Sequence, residues 1–313
     1  MLGDNLRRWL TQRFWRTRYA DFDFFTAEVS WFHQPFVRAQ YINMLVSGQP
    51  EQDWLAWFQQ KYYPRPVKRG LSLGCGTGET ERRAVEINLC LQLDGYDLSP
   101  DAIAQARSDA ERAGVDGRLH FSRTDLNALT LPASAYDLIL CPMSLHHVRN
   151  LERLFSQARS ALCPGGLLVL NEYVGPDRFQ WGEKQLRYAN ALLHKLPQRY
   201  RRNLAPRRWR RWIEPYRTRV RRRWQWRLMM EDPSEAIRSS EIVPALEQEF
   251  EIVERRDYGG TLLCPVLDRI AGNFTENEAD RELLLEAFAY EQELIRQGEL
   301  SSDYTVIVAR PRV

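Results

Sequence analysis

From Val67 to Tyr173, short apolar runs alternate with amphipathic segments, and this alternation limits the folds open to the chain. VKRGLSLG reads as a strand and GETERRAVEINLC as a helix. CLQLDGYDLS is a second strand. SPDAIAQARSDAERAG is a helix, with Ser99 as its cap, Pro100 in its first turn and Gly114 past its end. GRLHFSRTDL and YDLILCPMS are the third and fourth strands. LERLFSQARSALCPGG is a helix stopped by Pro164 and Gly165, and GLLVLNEYV is a fifth strand. Such alternation predicts an α/β fold, a mainly parallel, doubly wound sheet with helices on both faces.

The rest of the chain arranges itself around that unit. Residues 1–66 read as a helical N-terminal extension, with LRRWLTQRFWRTRYADFDFF and QDWLAWFQQKYYP near helical spacing. Residues 67–175 form the core. Residues 176–240 break the alternation and read as an Arg/Trp-rich insertion. Residues 241–313 return to the sheet, with FEIVERRDYGG and DYTVIVARP as strands and helices around 263–270 and 281–297. At 313 residues and 44% hydrophobic content, one domain with elaborations is expected.

A strand, a glycine turn and a helix, as in GLSLGCGTGETE, make a corner at which helix N–H groups and a bare backbone receive a ligand. A P-loop needs a lysine after its last glycine, and none follows Gly78. A dinucleotide fingerprint is GxGxxG. Here the spacing is GxGxG, and Glu79 would repel a pyrophosphate at the helix start. An acid there suits a ligand without phosphates, such as S-adenosylmethionine. Asp97, ending the second strand, can accept hydrogen bonds from ribose hydroxyls, as it also would for NAD. Asp125, ending the third, can read an adenine edge.

The segments LSLGCGTGE (71–79), GYDLSPDAI (95–103), RTDLNAL (123–129), YDLILCPMSLHHV (136–148) and LCPGGLLVLNEY (162–173) occur in order. Together they resemble the class I S-adenosylmethionine-dependent methyltransferases. That resemblance covers about residues 67–175 and implies a Rossmann-like, seven-stranded sheet whose last strand inserts antiparallel. It places Leu73, Gly74, Cys75, Gly76, Gly78, Asp97, Leu98, Asp125, Leu126 and Cys141 around the cofactor. One position departs from the pattern. Ser72 stands where the family has an acid two residues before the first glycine, an acid that organises the loop and the methionine ammonium. Either cofactor affinity falls or Glu79 compensates.

A methyltransferase must align a nucleophile with the methyl group and, for a hydroxyl, remove a proton. In an open parallel sheet the acceptor lies beyond the carboxyl ends of the strands. His146 and His147 there are candidate bases, weighed against a loop-shaping role. Glu172 is a candidate base or orienting group, weighed against an ion pair with an arginine of the insertion. Cys141 reads as a small core residue. NEYVGPDRFQW (171–181) and DPSEAIRSSEI (232–242) flank the insertion and resemble stretches of bacterial methyltransferases associated with polysaccharide or secondary-metabolite assembly. They would bring Asn171, Glu172, Glu235 and Ser239 to the acceptor side. The sequence shows no Cys/His cluster with metal spacing, so no metal is expected.

Residues 199–227 hold thirteen arginines against one acid, Glu214, leaving the rest of the chain at −9 within a net charge of +3. That segment fits a nucleic-acid surface, an anionic membrane surface, a lid over an anionic acceptor, or arginines paired with acids elsewhere, as near 276–286. The five scattered cysteines and the lack of a signal-like or spanning apolar run predict a cytoplasmic protein, with membrane association through the basic segment left open. The expected activity is O-methylation of a small molecule or a glycan or glycolipid precursor. RNA methylation and an inactive, binding-only methyltransferase fold stand as alternatives.

Overall fold

The computed structural model describes residue 11 and residues 30–204, 212–275 and 277–312. The expected helix over 6–15 and Arg207, Arg208, Arg210 and Arg211 of the basic segment lie outside the described residues.

Seven strands form one sheet: β1 (Val67–Leu73), β2 (Cys90–Asp97), β3 (Leu119–Arg123), β4 (Tyr136–Pro142), β5 (Leu162–Tyr173), β6 (Phe250–Asp257) and β7 (Tyr304–Pro311). Their order is β3-β2-β1-β4-β5-β7-β6. The first five strands are parallel, and β7 slots antiparallel between β5 and β6. The order reverses between β1 and β4. A crevice opens at such a switch point, so the carboxyl ends of β1 and β4 are where a ligand belongs.

Helices cover both faces: α1 (Trp54–Tyr62), α2 (Glu79–Glu86), α3 (Pro100–Arg112), α4 (Leu151–Ala161), α5 (Glu183–Lys195), α6 (Gln225–Glu231), α7 (Ile242–Glu249), α8 (Leu263–Leu267) and α9 (Glu278–Arg296). Alternate residues of β4 serve the two faces. Leu138 and Leu140 join one buried cluster with Leu93, Phe121 and Val85, while Ile139 and Cys141 join another with Leu154, Phe155 and Leu246. Both faces of the central strands are therefore dry, as the continuous apolar runs require.

The α3 boundaries follow their local chemistry. Ser99 Oγ accepts from Ala102 N at 3.2 Å, and Gly114 takes φ +66°. The α4 end differs from expectation. The helix stops at Ala161, and Pro164 and Gly165 lie inside β5, where the β4–β5 register shifts. Proline and glycine are accommodated there by an irregularity rather than by helix termination.

The described part of the N-terminal extension is pinned to the far end of the chain. Gln34 Nε2 donates to the Phe274 carbonyl at 3.3 Å, and the Tyr41 hydroxyl donates to the buried carboxylate of Glu291. The insertion also packs down in part. Arg217 is buried and donates to the carbonyls of Pro265, Val266 and Asp268, and Arg222 pairs with Glu183. Trp212, Trp224 and Trp226 remain exposed. No helix among the described residues is long and apolar enough to cross a membrane. All five cysteines are free.

Candidate active site

The glycine turn after β1 is held open by backbone geometry. Gly74, Gly76 and Gly78 adopt φ of +80°, +52° and +76°, which side chains with a Cβ rarely take. A Cβ on Gly74 would lie 2.2 Å from the Ser144 Cβ, so this glycine also lets the β4 loop close on the turn. The N–H groups of Gly74 and Cys75 donate to the Tyr96 carbonyl at 2.7 and 3.0 Å. Asp97 ties the turn to β2: its Oδ2 accepts from Gly76 N at 3.0 Å and its Oδ1 from Ser99 N at 2.8 Å. Burial raises the Asp97 pKa, and those N–H donors oppose the rise.

The missing acid at Ser72 has a structural answer. Glu79 is exposed and does not reach the position. Glu81, two residues further along α2, is fully buried, and Ser72 Oγ donates to its Oε1. Its Oε2 has no hydrogen-bond partner among the described residues. Burial pushes the Glu81 carboxyl up to about 7, with the Ser72 hydroxyl pulling the other way. Glu81, Ala84 and Val85 are the inward residues of α2. That helical spacing is the signal for Glu81 that the sequence carries.

Other expected cofactor-side residues divide by what their side chains do. Asp125 caps a short turn, its Oδ1 accepting from Asn127 N at 3.0 Å. Leu126 is buried and Leu98 half-buried. The Leu73 and Cys141 side chains lie in the core. Only their backbones are at the strand ends, where the Leu73 carbonyl accepts from Ser144 Oγ at 2.5 Å.

Beyond β4 and β5 the expected acceptor residues converge. Glu172 is fully buried, and among the described residues it pairs with no arginine of the insertion. Its Oε1 contacts His146 Nδ1 and accepts from Tyr173 N at 2.8 Å. Its Oε2 accepts from Ser144 N and Leu145 N at 2.8 and 2.6 Å. A carboxylate so engaged orients His146. His146 Nε2 then faces Glu235 Oε1 at 3.8 Å, and the His147 ring centroid lies 4.2 Å from that of His146. His147 Nδ1 is 3.1 Å from Ser234 Oγ and 3.7 Å from Asp232 Oδ2. Burial works to lower the His146 pKa, but Glu172, then Glu235 and Asp232, carry it above its ordinary value.

The two stretches flanking the insertion zip together above this cluster. Arg178 N donates to the Ala236 carbonyl at 2.7 Å, and its guanidinium donates to the carbonyls of Glu235 and Pro233 at 2.9 and 2.6 Å. Ser239 Oγ donates to the Gly175 carbonyl at 2.9 Å, and Ile237 N to that of His146 at 2.9 Å. Met143, Arg178, Phe179 and Ala236 hold positive φ without being glycine. Such strain persists where surrounding contacts over-determine the backbone. Asn171 is occupied in accepting from the Tyr258 hydroxyl at 2.6 Å.

Residues 71–168 match the family model described as a methyltransferase domain. The fold is shared with geranyl diphosphate C-methyltransferase from Streptomyces coelicolor A3(2), with 13% identity, 98% of each chain covered and a TM-score of 0.52. Residues 71–168 are thus similar in sequence to methyltransferase domains, on a fold that a methyltransferase shares. The chain is 31% identical over 112 residues to the 27-O-demethylrifamycin SV methyltransferase of Amycolatopsis mediterranei, covering 35% of this chain and 41% of that protein. It is 28% identical over 145 residues to the demethylmenaquinone methyltransferase of Thermus thermophilus, covering 46% of this chain and 65% of that one. The chain thus spans less than two thirds of the curated relatives it matches.

Proposed function

We propose that the protein binds S-adenosylmethionine at the β1–α2 turn and transfers its methyl group to an oxygen of a small molecule, a glycan or glycolipid precursor being the class expected. The observation that carries the reading is the charge at the turn. Glu79 and Glu81 sit in the first turn of α2, Asp97 lies beside it, and the Glu81 carboxylate is buried with one oxygen unpartnered. That set of acidic acceptors repels phosphates and suits a nucleoside bearing cationic groups. Asp97 would take the ribose hydroxyls, the 125–126 turn the adenine, and Glu81 the methionine ammonium. The bound cofactor supplies a methyl group already activated on a sulfonium.

The protein's own work is then alignment and proton handling. Ser144 joins the acceptor-side loop to the Leu73 carbonyl at the mouth of the turn, so the two halves of the site are mechanically linked. Glu172 holds His146 by its Nδ1 and leaves Nε2 toward the acceptor side, where His147 and Glu235 gather. A hydroxyl seated among these groups would lose its proton there. The exposed Trp224 and Trp226 beside the arginines support a second role for residues 199–227, contact with an anionic surface.

Calorimetric titration with S-adenosylmethionine and S-adenosylhomocysteine, with NAD as control, tests the reading. Micromolar binding of both adenosyl ligands, about −8 kcal/mol, followed by label transfer to a hydroxylated acceptor, is the expected result. A folded sample that binds neither ligand would overturn it. Binding without transfer to any acceptor would favour the binding-only alternative.

A further inference from the structure

The acceptor end holds a constellation that the sequence hides. One ligand atom each from His146, His147 and Glu235 lie within 4.8 Å of one another. Two imidazoles and one carboxylate facing one point are a donor set for divalent transition metals. Ligand atoms about 2.1 Å from a tetrahedral ion would be roughly 3.4 Å apart, so the three side chains need to close by about an ångström. That lies within rotamer adjustment.

The surroundings match what a metal site requires beyond its ligands. His146 Nδ1 is held by Glu172, and Glu172 is itself held by the N–H groups of Ser144, Leu145 and Tyr173. Metal-ligating histidines usually give their second nitrogen to such a carboxylate, which fixes the ring and aims the other nitrogen. Here the aimed nitrogen, Nε2, points at Glu235. The side chains of His146, His147 and Glu235 are only 8%, 19% and 12% exposed, so water competes weakly. Glu172, Asp232 and Glu235 put three carboxyl groups around two imidazoles, a balance that a divalent cation improves. The backbone of the 232–237 loop is fastened by Arg178 and by the His146 carbonyl, so Glu235 is carried on a braced segment.

We propose that His146, His147 and Glu235 bind one divalent transition-metal cation, with Glu172 positioning His146, and that an oxygen of the acceptor is a further ligand of that cation. Coordination lowers the pKa of a bound hydroxyl. Its proton then leaves to solvent, and the oxygen would use the electron pair it keeps to form the O–CH3 bond as the S–CH3 bond breaks and its electrons return to sulfur, leaving S-adenosylhomocysteine. The role given to the cation rests on the methyl-transfer reading. The site itself rests on the side chains.

The test uses the full chain without an affinity tag, stripped with a chelator and titrated with Zn²⁺ or Co²⁺, with Mg²⁺ as a hard-cation control. One equivalent of Zn²⁺ should survive desalting, and Co²⁺ should give visible absorption bands of low coordination number. Glu235→Gln and His147→Gln should each weaken Co²⁺ binding at least tenfold, and Glu172→Gln by about 10–100-fold. The remote surface variant Glu251→Gln should not change it. Circular dichroism and S-adenosylhomocysteine affinity report folding of each variant. Lack of stoichiometric cation in a sample that binds S-adenosylhomocysteine would overturn the metal site while leaving the cofactor reading intact. Cation binding indifferent to both Glu235→Gln and His147→Gln would overturn it as well. Cation binding that follows the variants, in a protein that binds no adenosyl ligand, would keep the site and remove the methyl-transfer role.

Discussion

Replacing Glu81 by glutamine should make the protein more stable at pH 8 and weaker in binding its cofactor. Glu81 is fully buried, its carboxyl is raised from 4.5 to about 7 by burial, and its Oε2 has no partner among the described residues. A raised carboxyl contributes stability that is present below its ordinary value and lost as pH climbs through about 7. At about 1.4 kcal/mol per pH unit, wild type should trail Glu81→Gln by about 1 kcal/mol at pH 5 and about 3 kcal/mol at pH 8. Glutamine is nearly isosteric and can keep the bond to Ser72. Urea denaturation of both proteins at the two pH values measures the gap, and contributions of other groups, including the raised Asp303, cancel in the difference. Calorimetry at pH 8 measures the other half. S-adenosylhomocysteine, which carries the ammonium, should bind at least tenfold more weakly to the variant, while adenosine, which lacks it, should bind equally well. A variant no more stable at pH 8 would refute the burial argument. An unchanged S-adenosylhomocysteine affinity would refute the pairing of Glu81 with the ammonium.

Asp97→Ala should cost about 1–3 kcal/mol of adenosyl-ligand affinity, read by the same calorimetry, and adenosine should suffer as much as S-adenosylhomocysteine because the ribose is the shared part. Gly74→Ala should lower stability by about 3 kcal/mol, since φ is +80° and the new Cβ would meet Ser144; a melting temperature unchanged in a thermal scan would show that the turn relaxes. Trp224→Ser with Trp226→Ser should reduce co-sedimentation with anionic liposomes and leave S-adenosylhomocysteine binding intact, and equal sedimentation would exclude these two exposed rings from any surface contact.

Much of the fold was legible because its causes are local. The strands show as apolar runs, Ser99–Pro100 and Gly114 bracket α3, and three glycines at alternate positions demand the β1–α2 turn. Pro164 and Gly165 misled for the same reason. They are helix breakers by local rule, but pairing with β4 absorbs them inside β5. The basic insertion looked uniform as charge. Arg217 is nonetheless buried among carbonyls, and Trp224 faces solvent, because which side of the segment packs depends on what it meets.

The amino-acid sequence by itself determined the α/β class, the glycine turn with Asp97 beside it, and the clustering of polar candidate groups at strand ends. These follow from periodicity, turn stereochemistry and the rule that parallel strands share one carboxyl edge. Only the tertiary structure decided that Glu81 meets Ser72, that Glu172 contacts His146, and that Glu235 lies beside the histidines from across the insertion. A side chain nine positions away on a helix, or nearly ninety away across a loop, meets its partner through packing and crossover geometry, which no local pattern encodes.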